Sequence, residues 1–204
     1  MMHNMEEAED LRVRRTRKLL QEAMIELTIE KGFAGTTVRD ITERAMVNRS
    51  TFYRHFSDKY DLMDQFMHET YQLIGDQEES FQPGNECHTE YKAPVGLVSL
   101  LKHVQTYSSF YRVMLGEKGD PSFTQKVLKY IERRFRHLLP NMGLPNKPTT
   151  LPVDLLVSYV SHAGVGAIVW WIENAQPCSP EQLASWLSRL SMADMNRALG
   201  SEGE

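Results

Sequence analysis

Apolar positions recur along this 204-residue chain three and four residues apart, and no stretch alternates residue by residue as a half-buried strand would. The first stripe, Val13, Leu20, Ala23, Met24 and Leu27, predicts a helix over 11–31, closed by Gly32 where a helix C-terminus favours glycine. Two short helices are expected at 37–45 and 48–56, and a longer one over 59–75. The polar run 76–94 (DQEESFQPGNECHTEYKAP) reads as a loop or a frayed helix end. Beyond it the spacing predicts helices near 95–115, 121–139, 153–174 and 180–198. Gly116, Gly119 to Pro121, the Pro140–Pro148 loop and Pro177 to Pro180 separate them. There is no internal repeat. The expected fold class is all-α, with a small N-terminal unit (1–58) ahead of a larger helical body (59–204).

The segment that carries chemistry is Thr37 to Phe56. Thr37 and Asp40 have the spacing of a capping box, and Val38, Ile41 and Ala45 share one face of the helix they open. Asn48 suits the N-cap of the next helix, only a couple of residues on, so the two must cross steeply as in a helix-turn-helix. In the second helix Phe52 and Phe56 point inward. Ser50, Tyr53 and Arg54 then project outward, with Thr51 at the flank: groups that bond phosphates or reach base edges in a major groove. A solvated face of an ordinary helical bundle is the bland alternative.

Charge supports the same end of the chain. The formal net charge is −4, yet residues 11–62 hold 11 Lys and Arg against 7 Asp and Glu, while the rest holds 12 against 20. A basic unit on an acidic body suits a protein that meets phosphate at one end, although an imbalance of this size also arises by chance. Arg12, Arg14, Arg15, Arg17 and Lys18 crowd the start of the first helix, either to touch flanking phosphates or merely to solubilise it. The acidic first ten residues lack an apolar core, so no secretory signal is expected. Cys87 and Cys178 read as free thiols, which places the protein in a reducing cytoplasm.

The run TTVRDITERAMVNRSTFYRHFSDKYDL resembles the signature of TetR-family regulators, matching at Thr37, Ile41, Ala45, Val47, Thr51, Phe52, Tyr53, His55, Phe56, Lys59 and Leu62. The resemblance implies a three-helix DNA-binding domain followed by a helical domain for effector binding and dimerisation. It also implies that Thr37, Tyr53, His55 and Lys59 hold the DNA backbone while Arg49, Ser50, Thr51 and Arg54 face bases. Arg39 and Asn48 complete the expected DNA-facing set. Lys59 has a local reason too, since it opens a helix whose free N–H groups favour an anion. Two positions depart from the family pattern: the turn glycine is Met46, and the usual serine cap is Asn48.

The body carries the remaining expectations. Residues 153–172 are apolar and nearly long enough to span a membrane, but Asp154 and His162 argue for a helix buried in a core or dimer interface. Ala163, Gly166 and Ala167 would let a neighbour approach closely. The resemblance pairs the last two helices with their symmetry mates, where Leu183, Trp186, Leu187 and Leu190 form one stripe. An effector pocket, if present, is expected among Phe66, Met67, Tyr71, His103, Tyr107, Phe110, Tyr111, Met114, Phe135, His162 and Trp170, although such residues are more often plain core. No HExxH, GxSxG or phosphate-binding loop occurs, so neither catalysis nor a metal or cofactor is expected, and Cys87–His88 reads as loop.

The functional expectation is a homodimeric, sequence-specific regulator of double-stranded operator DNA, a repressor released by a small effector. The 59–75 helix would act as the lever for a population shift. The alternatives are an activator working through a protein co-regulator, or a helical binding protein without DNA function. Phe110-Tyr111-Arg112 with Gly116, and Trp170 to Asn174 followed by Ser179-Pro180-Glu181, resemble the branch around regulators of dihydroxyacetone utilisation.

Overall fold

The computed structural model describes residues 2–75, 94–116, 119–138 and 151–198; the expected Cys87–His88 loop and the Pro140–Pro148 loop lie outside them. Nine helices form among the described residues, with no strand. They are α1 (Met2–Lys31), α2 (Val38–Arg44), α3 (Arg49–His55), α4 (Lys59–Gly75), α5 (Val95–Thr106), α6 (Ser108–Leu115), α7 (Pro121–Leu138), α8 (Val153–Glu173) and α9 (Pro180–Ala198).

α1 buries Leu20, Ala23, Met24 and Leu27, a stripe that repeats every three or four residues. It ends at Gly32, whose φ of +79° is left-handed and whose N–H reaches Thr28 O at 2.9 Å. Its start lies at Met2 rather than near Leu11. The opening residues show no apolar stripe, so periodicity overlooks them, but their Met, Ala and Glu are good helix formers.

The helix expected over 95–115 is two. Tyr107, at φ −107° and ψ 31°, breaks it into α5 and α6 without glycine or proline. Packing accounts for the bend. The Tyr107 ring stands edge-on to Phe66 at 5.9 Å and lies 4.8 Å from His103, while Phe110 and Tyr111 turn into the interior.

α1 lies across α2, α4 and α6; α7 runs along α8, and α5 along α9. One hydrophobic cluster extends from Leu20 through Phe52 and Phe110 to Ala184, so the core crosses the expected boundary at 58/59 without interruption. Trp171 is fully buried and its indole N–H donates to Cys178 O at 2.9 Å, tying the end of α8 to the approach of α9. α8 is long and apolar enough to cross a membrane, with a mean hydropathy of 1.6, and 44% of that window is buried in the fold.

Candidate nucleic-acid interface

α2 starts as its sequence predicts. The Thr37 hydroxyl accepts from Asp40 N–H at 3.2 Å, and Asp40 accepts from Thr37 N–H at 2.8 Å. The Lys31 ammonium lies 2.7 Å from the same carboxylate, so this ion pair and the Thr37 bonds hold Asp40 well below the usual carboxylate range. At the far end, Met46 N–H donates to Glu43 O and Val47 N–H to Thr42 O, the paired bonds of a Schellman motif. That motif needs a left-handed residue. Met46 supplies it at φ 53°, with its side chain 94% exposed.

α3 is capped by Asn48, whose side chain accepts from Ser50 N–H at 3.1 Å. Phe52 and Phe56 are buried beneath it. Truncating Phe52 to alanine would cost roughly 3–5 kcal/mol, the usual range for a buried aromatic. The opposite face presents Arg49, Ser50, Tyr53 and Arg54 to solvent, with Thr51 and His55 half-buried at its edges. Burial and the Arg54 and Arg17 charges lower the His55 pKa, which favours the neutral ring.

The cations of the unit divide into two sets. Arg44 is clamped by Glu30 at 2.7 Å and Glu26 at 3.0 Å, and Arg39 is paired with Glu43 at 2.7 Å. Arg49 and Arg54 form no ion pair among the described residues, and Arg49 leans towards the Tyr53 ring, 6.0 Å from its centroid. An open groove of about 510 Å³ at the α2–α3 junction is lined by Arg39, Thr42, Glu43, Met46, Val47 and Arg49. The sequence singled out neither Arg44 nor the Lys31–Asp40 pair, because both depend on α1 lying against α2.

The Lys59 side chain is engaged within the protein. Its ammonium donates to the carbonyls of Phe33 (2.8 Å), Ala34 (3.2 Å) and Thr36 (2.8 Å), and it sits 4.7 Å from the Phe33 ring centroid. All three donors therefore serve the α1–α2 loop. The α4 N-terminus is likewise engaged, since Asp58 accepts from the N–H groups of Tyr60 and Asp61. Burial lowers the Lys59 pKa.

In the body, Phe66, Met67, Phe110, Tyr111 and Met114 belong to the buried core, and Phe66 meets Phe110 edge-on at 5.7 Å. Tyr71 stacks on Tyr130 at 3.5 Å, and Phe135 is half-buried on α7. His103, enclosed by Phe66, Tyr107 and Tyr111, is pushed down to about 4 by burial. His162 and Trp170, expected beside a pocket, lie instead on the outer side of α8. That side carries Leu155, Tyr159, Ala163, Gly166 and Trp170 at successive turns, with Tyr159 58% exposed. Trp186 and Leu190 extend the exposed surface on α9, and Ala167 is partly covered. Leu183 is buried in the protomer's own core and Leu187 packs against it; both sit on the side of α9 that faces α5 and α8 rather than outward.

Residues 20–66 match the family of bacterial regulatory proteins of the tetR family, and residues 92–193 match the transcriptional regulator C-terminal region. Among curated proteins, the chain is 28% identical over 178 residues to the uncharacterized HTH-type transcriptional regulator YxbF of Bacillus subtilis (strain 168). That alignment covers 86% of this chain but 44% of YxbF, so the chain spans less than half the length of this relative. Among solved structures, the dihydroxyacetone kinase operon activator DhaS is similar at a TM-score of 0.61 and 18% identity, covering 91% of this chain and 98% of that one. NalD, the secondary repressor of the MexAB-OprM multidrug efflux pump in Pseudomonas aeruginosa, is similar at 0.63 and 17% identity, covering 94% and 99%. At these identities the two structures establish the fold alone. The two sequence matches, which together run from the first helix to the last, establish more: the chain belongs to the TetR family of bacterial transcriptional regulators.

Proposed function

We propose that the chain acts in the cytoplasm as a homodimeric, sequence-specific operator-binding repressor, released from DNA by an effector. One observation carries the DNA-binding part. The outward face of α3 holds the guanidinium groups of Arg49 and Arg54 without carboxylate partners among the described residues, beside exposed Ser50 and Tyr53, while the arginines of α2 are paired within the protein. A helix fits the major groove with its polar face inward, and unpaired arginines there bond base edges or phosphates and release counterions. The dimer part rests on the α8 and α9 surface, an apolar stripe that would otherwise stand in water.

The test is fluorescence anisotropy on fragments selected from the parent genome, at two salt concentrations. Tight binding with a steep salt slope is expected, and Tyr53→Ala and Arg54→Ala should each weaken it, Arg54→Ala also flattening the slope. Failure to select any fragment refutes the reading.

A second reading, an activator working through a protein co-regulator, draws support from the body. Several aromatics expected around a pocket are packed on one another, and the fold is shared with a protein named as an operon activator. Loss of target transcripts on deleting the gene, with no change in DNA affinity across a metabolite panel, would favour it.

A further inference from the structure

The turn between α2 and α3 holds a residue that local chemistry disfavours twice. Met46 takes a left-handed backbone at φ 53°, where the family pattern has glycine and where a side chain is strained. It is also 94% exposed, more than any other large apolar residue described. Glycine would relieve both costs. A single exposed apolar side chain means little by itself. Strained backbone is another matter, because it clusters at sites where a side chain meets a ligand.

The surroundings of Met46 indicate which ligand. Met46 and Arg49 line the same open groove of about 510 Å³ at the α2–α3 junction. Arg49 leans towards the Tyr53 ring, 6.0 Å from its centroid, which sets the groove beside the outward face of α3. Arg39, on the opposite wall, is held by Glu43 at 2.7 Å. A cation without an ion pair among the described residues therefore stands next to a flexible thioether, which is only a weak acceptor. A recognition helix meets base edges with the residues around its start, and Met46 lies two positions ahead of the Asn48 cap. In the major groove one base-edge feature is apolar, the C5 methyl of thymine. Deoxyribose also offers apolar surface, but it is the same at every base pair and would add no selectivity.

We propose that Met46 is a specificity residue of the operator contact, its thioether packed on the C5 methyl of a thymine while Arg49 bonds a neighbouring base or phosphate. This contact rests on the DNA-binding reading above and adds to it a preference for thymine at one position in each half-site. It also gives the strained turn a use: the left-handed backbone aims the side chain away from the protein and towards the duplex.

The experiment is a double-mutant cycle in which one partner is a methyl group on DNA. Fragments selected by the wild-type protein are remade with deoxyuridine in place of each thymine in turn, which deletes the methyl and keeps base pairing. Fluorescence anisotropy at one salt concentration then compares the wild-type and Met46→Gly proteins, with circular dichroism melting to show that the variant is folded. At one thymine per half-site, deoxyuridine should weaken wild-type binding about fourfold, the scale of one buried methyl group. Met46→Gly should bind both operators alike, as weakly as wild type binds the deoxyuridine one. If no thymine methyl affects wild-type binding, the proposal is overturned. A methyl effect that survives in Met46→Gly assigns the contact to another residue and overturns it too. So does an equal loss on both operators, which would mean that Met46 touches sugar or sets the docking angle. Failure to select any fragment overturns the DNA-binding reading itself, a result distinct from a protein that binds operator but ignores the methyl.

Discussion

Replacing Lys59 with methionine separates two roles for one ammonium group. Methionine keeps most of the apolar stem and removes the charge, leaving the carbonyls of Phe33, Ala34 and Thr36 without their donor. Hydrogen bonds to charged groups contribute about 1.5–3 kcal/mol each when well shielded. Here the side chain is only half-buried and water can reach the Ala34 carbonyl, so the three together are worth about 2 kcal/mol. For a chain of this length that is a fall in Tm of roughly 4–8 °C. Thermal melting by circular dichroism reads it directly. The salt dependence of DNA binding gives the second readout. A lysine that neutralised a phosphate would contribute about 0.9 to the log–log salt slope, or about 1.8 for two copies on one operator. With its donors committed to the α1–α2 loop, Lys59 should leave that slope unchanged. A Lys59→Met protein with the original Tm and a slope reduced by nearly two would refute this reasoning and restore the phosphate-binding role.

Other measurements bear on separate features. Met46→Gly and Ala175→Gly each relieve a left-handed non-glycine residue (φ 53° and 57°). Each should stabilise by about 0–1 kcal/mol in urea titrations, because roughly 1–2 kcal/mol of strain is offset by the greater freedom of glycine when unfolded; destabilisation by either would contradict the backbone assignment. Gly166→Arg meets open space in the protomer, so it should leave helical content intact while shifting sedimentation from dimer to monomer; a dimer that persists would place the interface elsewhere. His103 has a folded pKa near 4 against about 6.5 when unfolded, so the unfolded chain binds the extra proton between those values. Stability should therefore fall as pH drops from about 6.5 towards 4, by about 1–2 kcal/mol after allowing for solvent at the partly exposed ring. His103→Gln should flatten that part of the urea-midpoint profile.

The elements with local causes were legible in the sequence. Thr37 with Asp40, Asn48 ahead of α3, and Gly32 after α1 are caps set by neighbours within a few residues, and each forms as its spacing predicts. The inward pair Phe52 and Phe56 likewise fixed which side of α3 faces out. What escaped notice was non-local. The break at Tyr107 answers to Phe66, on another helix, and the Lys59 ammonium bonds carbonyls 23 to 26 residues earlier in the chain. Leu183 shares a helical stripe with Trp186 and Leu190, but only the placement of α5 and α8 decides which members of it the protomer covers for itself. Arg17 reads as one of a basic cluster that either touches flanking phosphates or solubilises the helix; the burial of its Nε, without a hydrogen bond among the described residues, is a fact of packing.

The unbroken core across residues 58 and 59 has a practical consequence. An excised DNA-reading fragment ending at that point would keep α1 but lose α4 and α6, leaving the flank of α1 that they cover newly wetted. Such a truncation should be insoluble or molten, and grafting the specificity of α3 onto another regulator calls for exchanging its surface residues in place, not transplanting the whole segment.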